Sequence, residues 1–241
     1  MALYVVATPI GNLDDLTPRA AKTLAAVSAV ACEDTRRTQN LLRHLGLHKP
    51  MLRYDEHVHE RSLPGILERL KAGEDLAVVS DAGTPGVSDP GGRLISAALK
   101  EGVPVVPIPG ASAVLTALAG SGLPMDGFTF LGFLSRRAIR IRRELESAGR
   151  ERTIVFFENV FRLQNTLEQA RAVFGDVPCA VGRELTKVFE EFIRGTISEV
   201  MTNLAGRKEL KGEATVVLAP QWKPSEEISE STVSRPERGD F

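Results

Sequence analysis

The chain has 241 residues, 43% hydrophobic and 25% charged, with a formal net charge of -1. That composition supports one large domain or two modest ones, and the balanced charge gives no global attraction to nucleic acid or membrane, leaving that role to a local patch. Two distant cysteines (Cys32 and Cys179) and four histidines show no metal-ligand spacing, no run approaches the roughly 18 apolar residues of a membrane span, and strand-like sequence starts at once in place of a signal peptide, so a cytoplasmic protein without a metal and with small core cysteines is expected.

In chain order, residues 3–8 read as a strand, and "DDLTPRAAKTLAAV" as a helix with Thr17 as N-cap and Pro18 at its first position. "SAVACE" is a strand, "TRRTQNLLRHLG" a helix stopped at Gly46, "MLRY" a short strand and "SLPGILERLKAG" a helix ending at Gly73. "DLAVVS" is a strand, "GGRLISAALKEG" a helix closed by Gly102, "VPVVPIP" a strand and "ASAVLTALAGSG" a small-residue helix. This alternation predicts an α/β domain over 1–120 with a mostly parallel sheet. After the linker-like "SGLPMDG", the run "FTFLGF", "TIVFFE", "VPCAVGREL", "EEFIRG" and "EATVVLA" with interspersed helices predicts a second α/β domain over 121–220 with a mixed sheet. The polar residues 221–241 read as a disordered tail.

Ligands of open parallel sheets sit beyond the carboxyl ends of the strands. Here those ends carry "ATPIGN", "EDTRR", "YDEH", "SDAGTPGVSDPGG" and "PIPGAS". None contains a GxGxxG or GxxxxGK[ST] cradle. The fourth loop has Asp81 and Asp89 and no cation before Arg93, which suits a ligand with hydroxyl and amino donors, or a cation, better than a pyrophosphate. Its glycines permit close backbone approach, and Ser112 between Ala111 and Ala113 leaves room at the fifth strand. A nucleoside bearing sulfonium and ammonium groups meets these terms. The alternative is a folded turn with both aspartates as caps, a role that Asp89 before Pro90 fits better than Asp81 does.

"ATPIGNLDDLTPRA", "EDTRRT", "SDAGTPGVSDPG", "PIPGASA" and "RELTK" followed by "EE" resemble the bacterial small-subunit rRNA 2′-O-methyltransferases of the tetrapyrrole methylase superfamily, over about residues 3 to 219. The resemblance implies two α/β domains with S-adenosylmethionine in the cleft between them, methylation of a cytidine 2′-hydroxyl in the decoding region of 16S rRNA, and a homodimer. It places Pro9, Asp81, Ala82, Gly83, Thr84, Ser112 and Ala113 around the cofactor. Strand order adds Phe157, Leu185 and Ala214. The sequence departs from the family pattern at Asp55, where relatives have a histidine, at Ser135 in place of proline, and at Val160-Phe161 in place of Pro-His. A short polar tail also stands where many relatives carry a small helical domain.

Methyl transfer to a hydroxyl needs positioning and removal of one proton. Lys187 with Glu184 and Asp34 nearby is the expected acceptor side, on the premise that a lysine desolvated beside another cation is partly neutral; an ion pair with Glu184 or Glu190 is the alternative. His57 is a further candidate base, and Asp34 has helix capping as its alternative role. Arg36 is expected to hold a phosphate. The arginine-rich segment 136–152, with Arg136, Arg137, Arg140 and Arg143, offers contacts to 16S rRNA or the small ribosomal subunit; a solvated helix face balanced by Glu144, Glu146 and Glu151 is the alternative. Two rival functions are a tetrapyrrole (precorrin-type) methyltransferase and a non-catalytic nucleoside-binding module.

Overall fold

A computed structural model describes residues 1–207 and 211–222. The expected polar tail lies, beyond Trp222, outside the described residues. Short apolar runs bounded by turn residues form β1 (Leu3–Val6), β2 (Ala29–Cys32), β3 (Met51–Arg53), β4 (Leu76–Val79) and β5 (Val105–Ile108). They make one parallel sheet in the order β3-β2-β4-β1-β5. All four residues of β2 and of β4 are buried, as the central strands of a sheet covered on both faces require. Alternate residues feed opposite cores: Leu3 and Val5 pack with Ile66, Leu70 and Leu94 on one side, while Val6 packs with Leu24, Leu41 and Ile108 on the other.

The covering helices are α1 (Pro18–Ala26), α2 (Thr35–His44), α3 (His59–Lys71) and α4 (Gly91–Lys100). Thr17 caps α1 as expected, its hydroxyl accepting the Ala20 N–H at 3.1 Å. Helix α3 begins three residues before the expected Ser62. The cause is Asp55, whose carboxylate accepts the N–H groups of His57 (2.8 Å) and Val58 (3.1 Å) and whose carbonyl accepts that of His59 (2.9 Å), seeding an additional turn.

The second sheet comprises β6 (Phe128–Phe133), β7 (Thr153–Asn159), β8 (Pro178–Arg183), β9 (Glu191–Thr196) and β10 (Glu213–Leu218), in the order β6-β7-β10-β8-β9. Only β6 and β7 pair in parallel; the other pairs are antiparallel. Helices α6 (Ala138–Ala148), α7 (Val160–Phe174) and α8 (Ile197–Ala205) bury Ile141, Leu145, Leu163, Leu167 and Val200 against Ile154, Phe156 and Val216. The opposite face, with Val155, Ala180 and Val217, is covered by α5 (Ala113–Ser121) through Val114, Ala117 and Leu118. The helix that follows the last strand of the first sheet thus packs on the second sheet, and its N-terminus lies where the two meet. Both cysteines are free and buried. Among the described residues no helix is long and apolar enough to cross a membrane.

Candidate active site

The loops after β1, β2 and β4 are bonded to one another. Thr8 and Gly83 exchange backbone hydrogen bonds (2.9 and 3.0 Å), and the Thr8 hydroxyl donates to the Ser80 carbonyl at 3.2 Å. Asp81 Oδ1 accepts the N–H of Asp34 at 3.0 Å, and Arg37 Nε lies 3.6 Å from Asp81 Oδ2. Asp89 Oδ1 accepts the N–H groups of Gly86 and Gly91, both at 2.7 Å, so this side chain closes the fourth loop and starts α4. Burial raises the Asp89 carboxyl above the usual range; its two N–H partners oppose the rise and the Asp81 charge adds to it.

The second sheet contributes a turn after β8. Glu184 (φ 49°) and Thr186 (φ 65°) both adopt left-handed backbone, a cost borne where the surroundings over-determine the geometry. Glu184 Oε1 accepts from Lys187 Nζ at 2.9 Å and from the Glu213 N–H at 3.0 Å, and Lys187 Nζ also lies 3.4 Å from Glu213 Oε2. Two glycines admit this arrangement. A Cβ on Gly11 would stand 2.4 Å from Lys187 Cγ, and one on Gly212, at φ +104°, would stand 2.3 Å from Glu184 Oε1. The first-strand loop therefore packs directly on the turn from the other sheet.

Between these elements lies a cavity of about 360 Å³, within the range of small-molecule sites. Asp81, Ala82, Gly83, Thr84, Ser112, Ala113, Phe157, Leu185 and Ala214 all line it, drawn together from both sheets. So do Glu184 and Lys187. Pro9 does not; its neighbour Ile10 takes that place on the wall. The lining also includes Glu33, Asp89, Glu158 and Glu213, against two cationic residues among the described ones, Arg37 and Lys187. Carboxylates beside apolar Ile10, Val87, Phe157 and Leu185 fit a ligand that combines cationic groups with an aromatic base. S-adenosylmethionine has that combination, and the residues fit it.

Four expected roles need correction. Lys187 has carboxylates, not a cation, as its close partners. Burial alone would pull its pKa down, but the hydrogen bond and charge of Glu184 and the charge of Glu213 outweigh it and leave the ammonium above the ordinary lysine value. Lys187 is therefore a poor base. Asp34 is the N-cap of α2, its Oδ1 accepting the Arg36 N–H at 2.8 Å; hydrogen bonds from the Arg36 side chain and backbone bring its pKa down to about 2, too low for a useful base. It does not line the cavity, and neither does exposed His57. Arg36, expected to hold a phosphate, is exposed and paired with Asp34 at 2.9 Å.

Within "EDTRR" the sequence points to the Glu33-Asp34-Thr35-Arg36 cluster and favours Asp34; the residues that line the cavity are Glu33 and Arg37, of which Arg37 is not singled out by the sequence. Burial first, and then the charges of Asp89 and Asp81, raise the Glu33 carboxyl above its ordinary range against one opposing Asp81 N–H hydrogen bond. A carboxylate raised in this way is a stronger base than an ordinary solvated one.

Beside β6 the arginine-rich segment divides in two. Arg142 donates to Gln169 Oε1 at 2.7 Å, and Arg150 donates to the carbonyls of Val173 and Phe174 with its guanidinium 5.4 Å from the Phe174 ring centroid. Arg136, Arg137, Arg140 and Arg143 are exposed, and among the described residues their guanidinium groups make no hydrogen bond or ion pair.

The family profile of the tetrapyrrole (corrin/porphyrin) methylases matches residues 2–201. The chain is 46% identical to a "Ribosomal RNA small subunit methyltransferase I" of Bacillus subtilis (strain 168), over 95% of this chain and 77% of that protein. It is 45% identical to a protein of the same name from Thermotoga maritima, over 90% of this chain and 97% of the other. Among solved structures, the uroporphyrin-III C-methyl transferase of Thermus thermophilus in complex with S-adenyl homocysteine superposes with a TM-score of 0.63 at 20% identity, covering 91% of this chain and 97% of that one. That likeness is one of fold.

Proposed function

The chain belongs to the tetrapyrrole (corrin/porphyrin) methylase family and is an S-adenosylmethionine-dependent methyltransferase, and given that membership we propose that it methylates the ribose 2′-hydroxyl of a cytidine in the decoding region of 16S rRNA. The observation that carries this reading is the 46% identity to a ribosomal RNA small subunit methyltransferase I sustained over 95% of the chain. The row of unpaired arginines supports an RNA acceptor. A raised carboxylate in the cavity supports a hydroxyl as the group methylated. We extend the proposal to a cytoplasmic homodimer, and to a division of the chain near residue 120.

Asp81 to Thr84, Ser112, Ala113, Phe157, Leu185 and Ala214 would hold the cofactor. When bound there, S-adenosylmethionine supplies a methyl group activated by its sulfonium sulfur. The remaining work falls to side chains. Glu33 accepts the proton of the acceptor hydroxyl. Lys187 stays charged and fixes the Glu184 turn. Phe157, Leu185 and Ile10 exclude water from the apolar wall, which strengthens each charge interaction beside it.

The test is transfer of labelled methyl to small ribosomal subunits, to naked 16S rRNA, to a corrin precursor and to no acceptor, followed by mapping of the modified nucleotide. Label on a cytidine ribose of 16S rRNA is the expected result. Label on the corrin precursor alone would overturn the proposal.

A further inference from the structure

Phe133 and Phe161 are 62% and 77% exposed, Phe133 at the end of β6 and Phe161 three residues after the cavity-lining Glu158. Phe133 ends β6 and lines the cavity; its ring centroid lies 5.3 Å from that of Phe157, which in turn meets Phe130 edge-on at 4.9 Å. It is thus supported from one side and open to solvent on the other. Phe161 stands in the first turn of α7, its N–H donated to Asn159 Oδ1 at 2.9 Å. The adjacent Arg162 donates to the carbonyls of Leu134 (3.3 Å) and Ser135 (2.6 Å), fastening that turn to the segment directly after Phe133. The same segment leads into Arg136 and Arg137. On α6 the buried residues are Ile141 and Leu145, so helical spacing puts Ile139, Arg140 and Arg143 on the outward side, and Ile139 is 62% exposed.

We infer that Phe133 and Phe161, backed by Arg136, Arg137, Arg140 and Arg143, form a stacking platform that holds unpaired nucleotides flanking the acceptor. The inference rests on the RNA reading above and assigns its binding surface. Single-stranded RNA presents the complement of this patch: π-faces for exposed phenyl rings and phosphates for unpaired guanidinium groups. The nucleotide reaching the cavity must leave its stack, and the exposed rings replace the stacking that its neighbours lose. A second copy of the chain suits the patch less well, because it would have to meet four uncompensated positive charges.

The experiment uses the full chain, a fluorescent single-stranded RNA oligonucleotide and anisotropy, with calorimetric titration of S-adenosylmethionine alongside. Phe161→Ala is expected to weaken RNA binding roughly 5- to 100-fold. Its cofactor affinity should hold, and Phe161→Trp should retain RNA affinity. The slope of affinity against salt should stay the same for Phe161→Ala and become shallower for Arg140→Glu. Wild-type RNA affinity in Phe161→Ala overturns the platform, as does restoration by Phe161→Leu to the same extent as by Phe161→Trp. If Phe161→Ala changes the sedimentation of the chain while RNA affinity holds, the face belongs to a second copy and the inference is wrong. Failure of the wild-type chain to bind or methylate RNA sinks the RNA reading as well. Normal wild-type methylation with an unaffected Phe161→Ala sinks the platform alone.

Discussion

The Lys187 ammonium lies 2.9 Å from Glu184 Oε1, and the same oxygen accepts the Glu213 N–H at 3.0 Å. One carboxylate therefore holds a lysine at the cavity wall and ties the turn after β8 to the start of β10. Burial pushes the Glu184 carboxyl up, but Lys187 and the Glu213 N–H outweigh it and leave the pKa below its ordinary value. A carboxyl depressed in this way contributes stability above its unfolded pKa, and the contribution is lost as pH falls through the folded one. Lys187→Met should lower stability at neutral pH by roughly 1 kcal/mol, because both side chains are partly exposed. Denaturant titrations should show the gap between variant and wild type closing in acid, once Glu184 is protonated. Turnover should fall by up to about 100-fold through displacement of the turn. The acidic limb of the rate profile should remain where it was, since Lys187 is not the group that titrates there.

Glu33→Gln should remove that limb. Glu33 must be ionised to accept a proton, and its pKa is raised by burial and by Asp89 and Asp81. Wild-type activity is expected to rise with pH through this raised value. The glutamine variant should lose roughly 10²- to 10⁴-fold in rate and show no such rise. Stability has the opposite sign from that at Glu184. A carboxyl raised on folding stabilises below its unfolded pKa and loses that contribution as pH climbs through the folded one. Glu33→Gln should therefore be at least as stable as wild type at neutral pH. A variant with lower stability and an intact pH profile would assign Glu33 a structural role.

Gly11 and Gly212 hold the two loops at contact distance, and their substitutions should differ in kind. At Gly212 a Cβ meets Glu184 Oε1 at 2.3 Å in left-handed backbone, so Gly212→Ala combines strain with displacement and should cost roughly 1–3 kcal/mol. Gly11→Ala meets the Lys187 stem, with Thr186 Oγ1 at 2.9 Å and the Leu185 carbonyl at 3.1 Å, and should chiefly weaken cofactor binding. In a Lys187→Ala background the atom at 2.4 Å is gone, and Gly11→Ala should cost less. Equal losses in the two backgrounds would show that the contact with Lys187 is not what matters.

The parallel sheet was legible because β2 and β4 are unbroken apolar runs, and only burial on both faces calls for such runs. The fourth loop was legible as a site by its length, its two aspartates and its lack of a phosphate signature. Strand order sufficed to bring Phe157, Leu185 and Ala214 to the cavity wall. The proposed base, Glu33, was not separable from its neighbours. In "EDTRR" two adjacent acids compete for the cap of α2, and which one wins is settled in three dimensions. Asp34 turns to the helix N–H groups and to Arg36, leaving Glu33 to face Asp81 and Asp89. For Lys187 the expected sign was wrong for a related reason. Desolvation and ion pairing move a lysine in opposite directions, and only the 2.9 and 3.4 Å separations decide between them. The turn that places Lys187 also relies on Glu184 and Thr186 in a backbone region that non-glycine residues rarely announce in sequence.

The arginine row is expected to act through charge. Arg140→Glu combined with Arg143→Glu reverses two exposed, unpaired groups on the outward side of α6. Folding should be nearly unaffected, since neither guanidinium has a partner to lose and surface changes of this kind usually stay within about 0.5 kcal/mol. RNA affinity should fall strongly at low salt, and the dependence of log affinity on log salt should become shallower as phosphate contacts are lost. S-adenosylmethionine affinity should stay at the wild-type value, because neither arginine lines the cavity. Arg142→Glu is the matched control. Its guanidinium holds Gln169 at 2.7 Å, so that variant should lose stability while changing the salt slope little. Equal loss of RNA and cofactor affinity in the double reversal would mean that the charges act through the fold of the second sheet and not through phosphates.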